Sequence, residues 1–218
     1  MNAPAPTRVL LADDHVLFAE LARELLGLQG DMTVVGTATS GSEAVRSAAE
    51  TSPDVVLMDH FMPGMNGTAV TRLLKRRDPR IRVLMMSACS DAPQVVRAMR
   101  AGATGFVAKW CHVTELLHAI REVAAGRRYI QRDLADAALA ELTDGEVRED
   151  PIARLSVREH QVFQMMAEGR STSTIAGELC LSVKTIETHR ARLMRKLGIA
   201  NVAGLVKLAM HHNVIPPE

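Results

Sequence analysis

Cysteine is scarce in this chain: Cys89, Cys111 and Cys180 are the only three in 218 residues. They are too few and too scattered for a disulfide framework or a zinc site, so they are read as reduced thiols. No apolar run approaches the ~20 residues that cross a bilayer, and the small residues from Met1 to Thr7 lack the apolar core of a signal peptide. These absences predict a cytoplasmic protein with no membrane partner. Net charge is also nearly absent, +1 at pH 7, but the sum hides a division. Residues 153–218 hold nine Lys/Arg against five Asp/Glu, which leaves seventeen against twenty in the rest of the chain. A basic end suits a polyanion, although an excess this small does not decide the matter alone.

What is present is an alternation of strand and helix, in a chain long enough for one large or two small domains. Val9-Leu10-Leu11-Ala12 reads as a strand running into Asp13-Asp14, after which Leu17, Leu21, Leu25 and Leu28 recur at helical spacing before Gly30. Thr33 to Thr37 is a second strand, and Ser40 to Glu50 a helix capped by Ser40 or Ser42. Asp54-Val55-Val56-Leu57-Met58-Asp59 has the unbroken apolar run of a strand buried on both faces, and Pro63-Gly64 and Asn66-Gly67 mark the loop that follows. Next come a helix from Thr68 to Arg77, a strand from Ile81 to Met86 ending at Ser87, and a helix from Asp91 to Arg100 closed by Gly102. Gly105 to Ala108 is a strand ending at Lys109, and Val113, Leu116, Leu117, Ile120 and Val123 stripe a fifth helix. Five βα units in a row predict an α/β fold, a doubly wound five-stranded parallel sheet.

Tyr129 to Asp150 is acidic and Ala-rich and runs into Pro151, the composition of a partly helical linker. From Ile152 the pattern is wholly helical, with helices from Ser156 to Glu168, Ser173 to Leu179, Ser182 to Leu197 and Val202 to His212. The second domain is therefore a small all-α, four-helix module. The domains read as 7–127, a linker over 128–151, and 152–218.

In an open parallel sheet, chemistry collects where strands leave the sheet at their carboxyl ends. An isolated strand-end Asp59 would be read as a cap for its loop. However, Asp13, Asp14, Ser87 and Lys109 also stand at predicted strand ends, and parallel strands bring all five residues to one edge. Three carboxylates that close repel unless a hard dication joins them, and oxygen-only ligands favour Mg²⁺. Such a cluster can hold a phosphoryl group: Mg²⁺ and an ammonium neutralise its oxygens, a hydroxyl donates to another, and a carboxylate is a competent nucleophile. His15, His60 and His112 are read as solvated or packed side chains rather than ligands.

These residues in this order, with the run Met58-Asp59-His60-Phe61-Met62-Pro63-Gly64-Met65-Asn66-Gly67, resemble the flavodoxin-like receiver domain of two-component response regulators over residues 8 to 125. The resemblance implies that Asp59 is the phosphorylation site, served by a sensor histidine kinase. It implies a Mg²⁺ site in which Asp14 binds directly and Asp13 mainly through water, with Asp59 and the Phe61 backbone carbonyl as further ligands. Ser87 and Lys109 would grip the phosphoryl oxygens, and Ser87 with Phe106 would form the switch, the aromatic moving inward as Ser87 is drawn to the phosphate. Phe106 also suits a plain core position. His60 replaces the family's usual aliphatic residue, and Trp110-Cys111-His112 stands where a proline is usual, which leaves the dimerisation surface less defined. Phe61 and Cys89 flank the family's path for hydrolytic water, and both are poor partners for water, so the phosphorylated form is expected to be long-lived.

In the basic module Ser156-Val157-Arg158-Glu159 reads as a capping box. At 100° per residue the third helix turns Ile186, Leu193 and Leu197 inward, with His189 at the edge of that face, and turns Lys184, Glu187, Thr188, Ala191 and Arg195 outward with Arg192 beside them. That pattern fits a solvated surface or a recognition helix in a major groove. Leu155-Ser156-Val157-Arg158-Glu159, Ile175-Ala176-Gly177-Glu178-Leu179, Ser182-Val183-Lys184-Thr185-Ile186-Glu187-Thr188-His189 and Arg195-Lys196-Leu197-Gly198 resemble the LuxR-type (NarL-type) helix-turn-helix over its full length. By that resemblance Glu187, Thr188 and Ala191 face base edges, Lys184, Arg192 and Arg195 face phosphates, Thr185 belongs to the same DNA-binding set, and His189 is packed. Ser173-Thr174 and Val202-Ala203-Gly204 lack the charged residues that the family often carries there, so dimerisation gains importance.

The combined expectation is a phosphorylation-dependent transcription regulator, not an enzyme. Its partners would be a sensor histidine kinase, double-stranded DNA and a second copy of the chain, with RNA polymerase a further partner. The rival readings are a DNA-binding dimer indifferent to phosphorylation and a Mg²⁺-dependent phosphohydrolase.

Overall fold

The computed structural model describes residues 5–88, 92–136, 138, 151–211 and 214–215, and the chain divides into two compact units, 1–145 and 146–218. Cys89 and Asp91, most of the acidic linker and His212 lie outside the described residues. Among those described, no helix is long and apolar enough to cross a membrane.

The first unit is built on a parallel sheet of strand order β2-β1-β3-β4-β5-β6, with β1 at Thr7–Ala12, β2 at Met32–Ala38, β3 at Val55–Asp59, β4 at Arg82–Ser87, β5 at Gly105–Ala108 and β6 at Tyr129–Ile130. Helices α1 (Val16–Gly27), α2 (Gly41–Thr51), α3 (Gly67–Arg77), α4 (Ala92–Arg100) and α5 (Val113–Ala124) connect the strands. Every residue of β3 is buried, because the two faces of the sheet are both covered. Val56 and Met58 enter a core shared with α2, α3 and α4, while Val55 and Leu57 enter a second core shared with α1 and α5. Each fully buried aliphatic side chain contributes roughly 1.5–3 kcal/mol, so this central strand anchors both layers.

The sheet has six strands, not the five expected. β6 is two residues long, too short to show any hydrophobic period, and it forms because β5 offers a free main-chain edge. Tyr129 N–H donates to the Thr104 carbonyl at 3.2 Å and Gln131 N–H to the Phe106 carbonyl at 3.1 Å. Gly105 permits the approach, since a Cβ there would stand 2.9 Å from the Tyr129 carbonyl oxygen. Ile130 and Leu134 then pack against the core that holds Phe106 and Ala138.

Helix α1 is present, but of the leucine stripe that reveals it only Leu25 packs against the core. Ala22 and Leu26 meet the sheet, and Leu17, Leu21 and Leu28 remain 69, 61 and 81% exposed.

The second unit holds α6 (Val157–Ala167), α7 (Thr172–Glu178), α8 (Val183–Leu197) and α9 (Val202–His211) around a core of Val162, Phe163, Ile175, Ile186, Leu193 and Leu205. Serines cap three of these helices: Ser156, Ser171 and Ser182 each accept from the backbone N–H three residues on. Ser171, two residues earlier than the expected start, opens α7. The capping box closes as the sequence predicts, with Ser156 N–H donating to Glu159 Oε2 at 2.8 Å. Lys196 Nζ donates to the same oxygen at 2.5 Å and so ties α8 to the start of α6.

Candidate functional site

Strand order reverses between β1 and β3, and the crevice at that switch point is where Asp13 and Asp59 arrive. Register sets the edge: Ala12 lies beside Met58, Asp59 beside Met86, and Ser87 beside Ala108. The next residue after each strand then clears the sheet, with Asp13 N–H donating to the Ala38 carbonyl and Lys109 N–H to the Ser87 carbonyl, both at 2.9 Å. Gly67 closes the loop after β3 beneath the acid. A Cβ at that position would stand 2.2 Å from the Asp59 carbonyl oxygen, so only glycine fits.

The charges at this edge are organised by Lys109. Its ammonium donates to Asp59 Oδ2 at 2.7 Å and to Asp13 Oδ1 at 3.1 Å, and stands 2.8 Å from Asp13 Oδ2. It also lies 5.4 Å from the centre of the Phe18 ring. Asp59 is 1% exposed, and its Oδ1 accepts from Phe61 N–H at 3.3 Å. Burial pushes the Asp59 carboxyl up to about 6 against the pull of the Lys109 hydrogen bond, and the charge of Asp13 adds to the rise. Burial also works against the Lys109 ammonium, but its bonds to Asp13 and Asp59 outweigh that and hold its pKa above the usual value. Mutual repulsion among the acids is therefore relieved in this structure by an ammonium.

Asp13, Asp14, Asp59 and His15 each present a ligand atom, all within 4.8 Å of one another. This donor set fits a divalent cation. Three carboxylates, oxygen donors within one ion's reach of each other, suit a hard ion such as Mg²⁺. His15 Nδ1 lies 3.2 Å from Asp13 Oδ1, 3.0 Å from Asp14 Oδ1 and 3.9 Å from Asp59 Oδ2. The sequence names His15 only as a solvated or packed histidine, yet the fold brings it into the cluster while leaving its side chain 69% exposed. Ser87 is fully buried at the end of β4, and Phe106 is fully buried on β5. His60 turns into the interior beside Thr68, whose Oγ1 lies 3.3 Å from His60 Nδ1, and its ring meets the Phe61 ring edge-on. Trp110, next to Lys109, is 65% exposed.

On α8, Ile186 and Leu193 are buried, His189 is half-buried, and Lys184, Glu187, Thr188, Ala191, Arg192 and Arg195 are exposed. Two hydroxyls of the predicted DNA-contact set are already engaged. Thr185 Oγ1 lies 2.8 Å from the cap Ser182 Oγ and is half-buried, and Thr188 Oγ1 donates to the Lys184 carbonyl at 2.9 Å. Arg190, which the helical projection passes over, is also exposed.

A sheet edge that collects acids, a hydroxyl and a lysine, followed in one chain by a helix-turn-helix unit, is the organisation of a response regulator with a DNA-binding output. The family models agree in the same order. The response regulator receiver domain matches residues 9–121, and the luxR family of bacterial regulatory proteins matches residues 153–209. The chain belongs to the LuxR-type response regulators. It is 39% identical over 209 residues to the response regulator GacA of Pseudomonas viridiflava, covering 95% of this chain and 97% of that one. With the response regulator UvrY of Escherichia coli it shares 36% over 210 residues, 96% of each. Among solved structures, a LuxR-family two-component response regulator from Aurantimonas sp. SI85-9A1 superposes with a TM-score of 0.61 at 34% identity, covering 64% of this chain and all of that one. The chain is therefore a transcriptional response regulator rather than an enzyme, of a family that works with sensor kinases and binds DNA.

Proposed function

We propose that Asp59 accepts a phosphoryl group from a sensor histidine kinase and that this drives dimerisation and operator binding. The observation that carries the reading is the buried Asp59 carboxylate, held at 2.7 Å by Lys109 beside Asp13. In the transfer, an Asp59 oxygen attacks phosphorus, the phosphorus–nitrogen bond to the kinase histidine breaks, and the bonding pair leaves with the imidazole nitrogen. The protein's own part is positioning and charge. Lys109 pairs with one phosphoryl oxygen, and the Ser87 hydroxyl donates to another. Asp13, Asp14, Asp59 and the Phe61 carbonyl would hold Mg²⁺, which when bound neutralises charge on the transferring group. Ser87 and Phe106 form the switch: drawing Ser87 to the phosphoryl group favours Phe106 in its enclosed position. We place the receiver at 7–127, the DNA-binding domain at 152–218 and the linker at 128–151, whose first residues, Tyr129 to Leu134, join the receiver's sheet and core. In the dimer two copies of α8 enter successive major grooves, with Glu187, Thr188 and Ala191 at base edges, Thr185 at the helix start, and Lys184, Arg192 and Arg195 at phosphates.

The test uses the full chain, Mg²⁺ and a small phosphodonor. Intact mass should rise by one phosphoryl group in the parent and not in Asp59→Asn, and only the phosphorylated parent should sediment as a dimer and bind duplex DNA tightly. Equal DNA affinity for the two proteins would instead identify a regulator indifferent to phosphorylation.

A further inference from the structure

The amide of Ala108, the residue before Lys109, is buried at the sheet edge beyond the reach of β6, whose main chain has paired only as far as Phe106. A side chain completes the ladder. Gln131 Oε1 accepts from Ala108 N–H at 2.9 Å, taking the place of the next strand carbonyl. The other edge of the same segment is held by the bond from Lys109 N–H to the Ser87 carbonyl. The main chain that carries Lys109 is thus gripped from both sides, by β4 and by Gln131.

Gln131 is also where the linker begins its helical turn. Its own carbonyl accepts from Leu134 N–H at 2.9 Å and Ala135 N–H at 3.0 Å, so it stands in the capping position of the turn over 132–136. Its side chain does not cap that turn but reaches back to β5. One residue therefore joins the strand end that presents Lys109 to the first turn leading toward the DNA-binding unit.

We infer that Gln131 is a positioning residue for the phosphoryl-binding lysine and the link by which the pocket biases the linker. The inference rests on the reading of Asp59 as phosphoacceptor and of Lys109 as a phosphoryl ligand. A lysine stem is flexible, so its ammonium holds an anion well only when its backbone is fixed, and the Gln131 bond supplies that fixing in advance. Coupling of this kind is reciprocal: a linker change that loosens Ala108 must weaken phosphoryl binding, and phosphoryl binding must tighten the linker start. The physical connection is short, running from Lys109 through Ala108 and the Gln131 amide to the turn over 132–136.

The test compares the full-length parent with Gln131→Met, which keeps length but removes the acceptor, and Gln131→Glu, which keeps an acceptor oxygen. Calorimetry follows Mg²⁺ alone, then beryllofluoride in saturating Mg²⁺. Gln131→Met should bind beryllofluoride about fivefold more weakly, the worth of one hydrogen bond. Its Mg²⁺ affinity should stay within about twofold of the parent, and Gln131→Glu should restore most of the loss. Hydrogen exchange in the parent should slow on beryllofluoride binding both at 105–109 and at 129–136, a measurement that stands even if the methionine variant folds poorly. Equal beryllofluoride affinity in parent and Gln131→Met, parallel loss of Mg²⁺ affinity, or slowing confined to 105–109 would overturn the inference while leaving the phosphoacceptor reading intact. A parent that does not bind beryllofluoride at all would sink that reading and the inference with it.

Discussion

Replacing Asp59 with asparagine should stabilise the protein when no divalent cation is present. The magnitude follows from the carboxyl's environment, which raises its pKa from 3.8 to about 6. That rise of about two units nets burial and the Asp13 charge against the attraction of Lys109, and at ~1.4 kcal/mol per unit it amounts to ~3 kcal/mol. The sign is that of a group that holds its proton more tightly when folded. Relative to a side chain that cannot ionise, Asp59 costs nothing below about pH 4, and the whole ~3 kcal/mol is lost once as pH rises from 4 through 6. Asparagine has nearly the same shape, can still accept from Lys109, and does not ionise. In chelator at pH 8 the Asp59→Asn receiver should melt higher than the parent by roughly 6–12 °C, a gap that closes as pH falls to 4. Trp110, the single tryptophan, reports the receiver transition in the intact chain. Saturating Mg²⁺ should shrink or reverse the gap, because a cation that binds the folded parent through Asp59 stabilises it by mass action. A variant that melts at or below the parent at pH 8 in chelator, or a gap that does not vary with pH, would refute the argument that burial dominates at this carboxylate.

Four further substitutions test the loop after β3 and the outward face of α8. Gly67→Ala places a methyl group 2.2 Å from the Asp59 carbonyl oxygen, so it should cost at least about 3 kcal/mol in urea unfolding and abolish phosphorylation; parental stability would show that the loop yields freely. Lys184→Ala should weaken DNA binding on every sequence and lower the salt slope by about one, whereas Glu187→Ala should relax preference at one base pair by about 1–3 kcal/mol, both read by fluorescence anisotropy across salt and sequence. If Lys184→Ala leaves the salt slope unchanged, Lys184 is not a phosphate contact. If Asp59 is the phosphoacceptor and Phe61 flanks the path of hydrolytic water, Phe61→Asn should speed loss of phosphate about fivefold, followed by intact mass over time, while an unchanged rate would remove Phe61 from that path.

Local signals made the strands, the helices and their caps legible in the sequence. A strand buried on both faces shows as the run from Val55 to Met58, and serine caps such as Ser156 and Ser182 depend on amides only three residues away. The edge that carries Asp13, Asp14, Asp59, Ser87 and Lys109 was readable for the same reason: parallel strands force their carboxyl ends together, so order along the chain suffices. Only the tertiary structure decided matters that depend on which surfaces meet. It turned Leu17, Leu21 and Leu28 outward, because helical spacing identifies a face without saying whether the sheet will cover it. It drew His15 to the acids and set Lys109 between Asp13 and Asp59. It made a sixth strand of Tyr129–Ile130 and gave Gln131 its partner, because a hydrogen-bond vacancy at the edge of β5 exists only once the sheet is assembled.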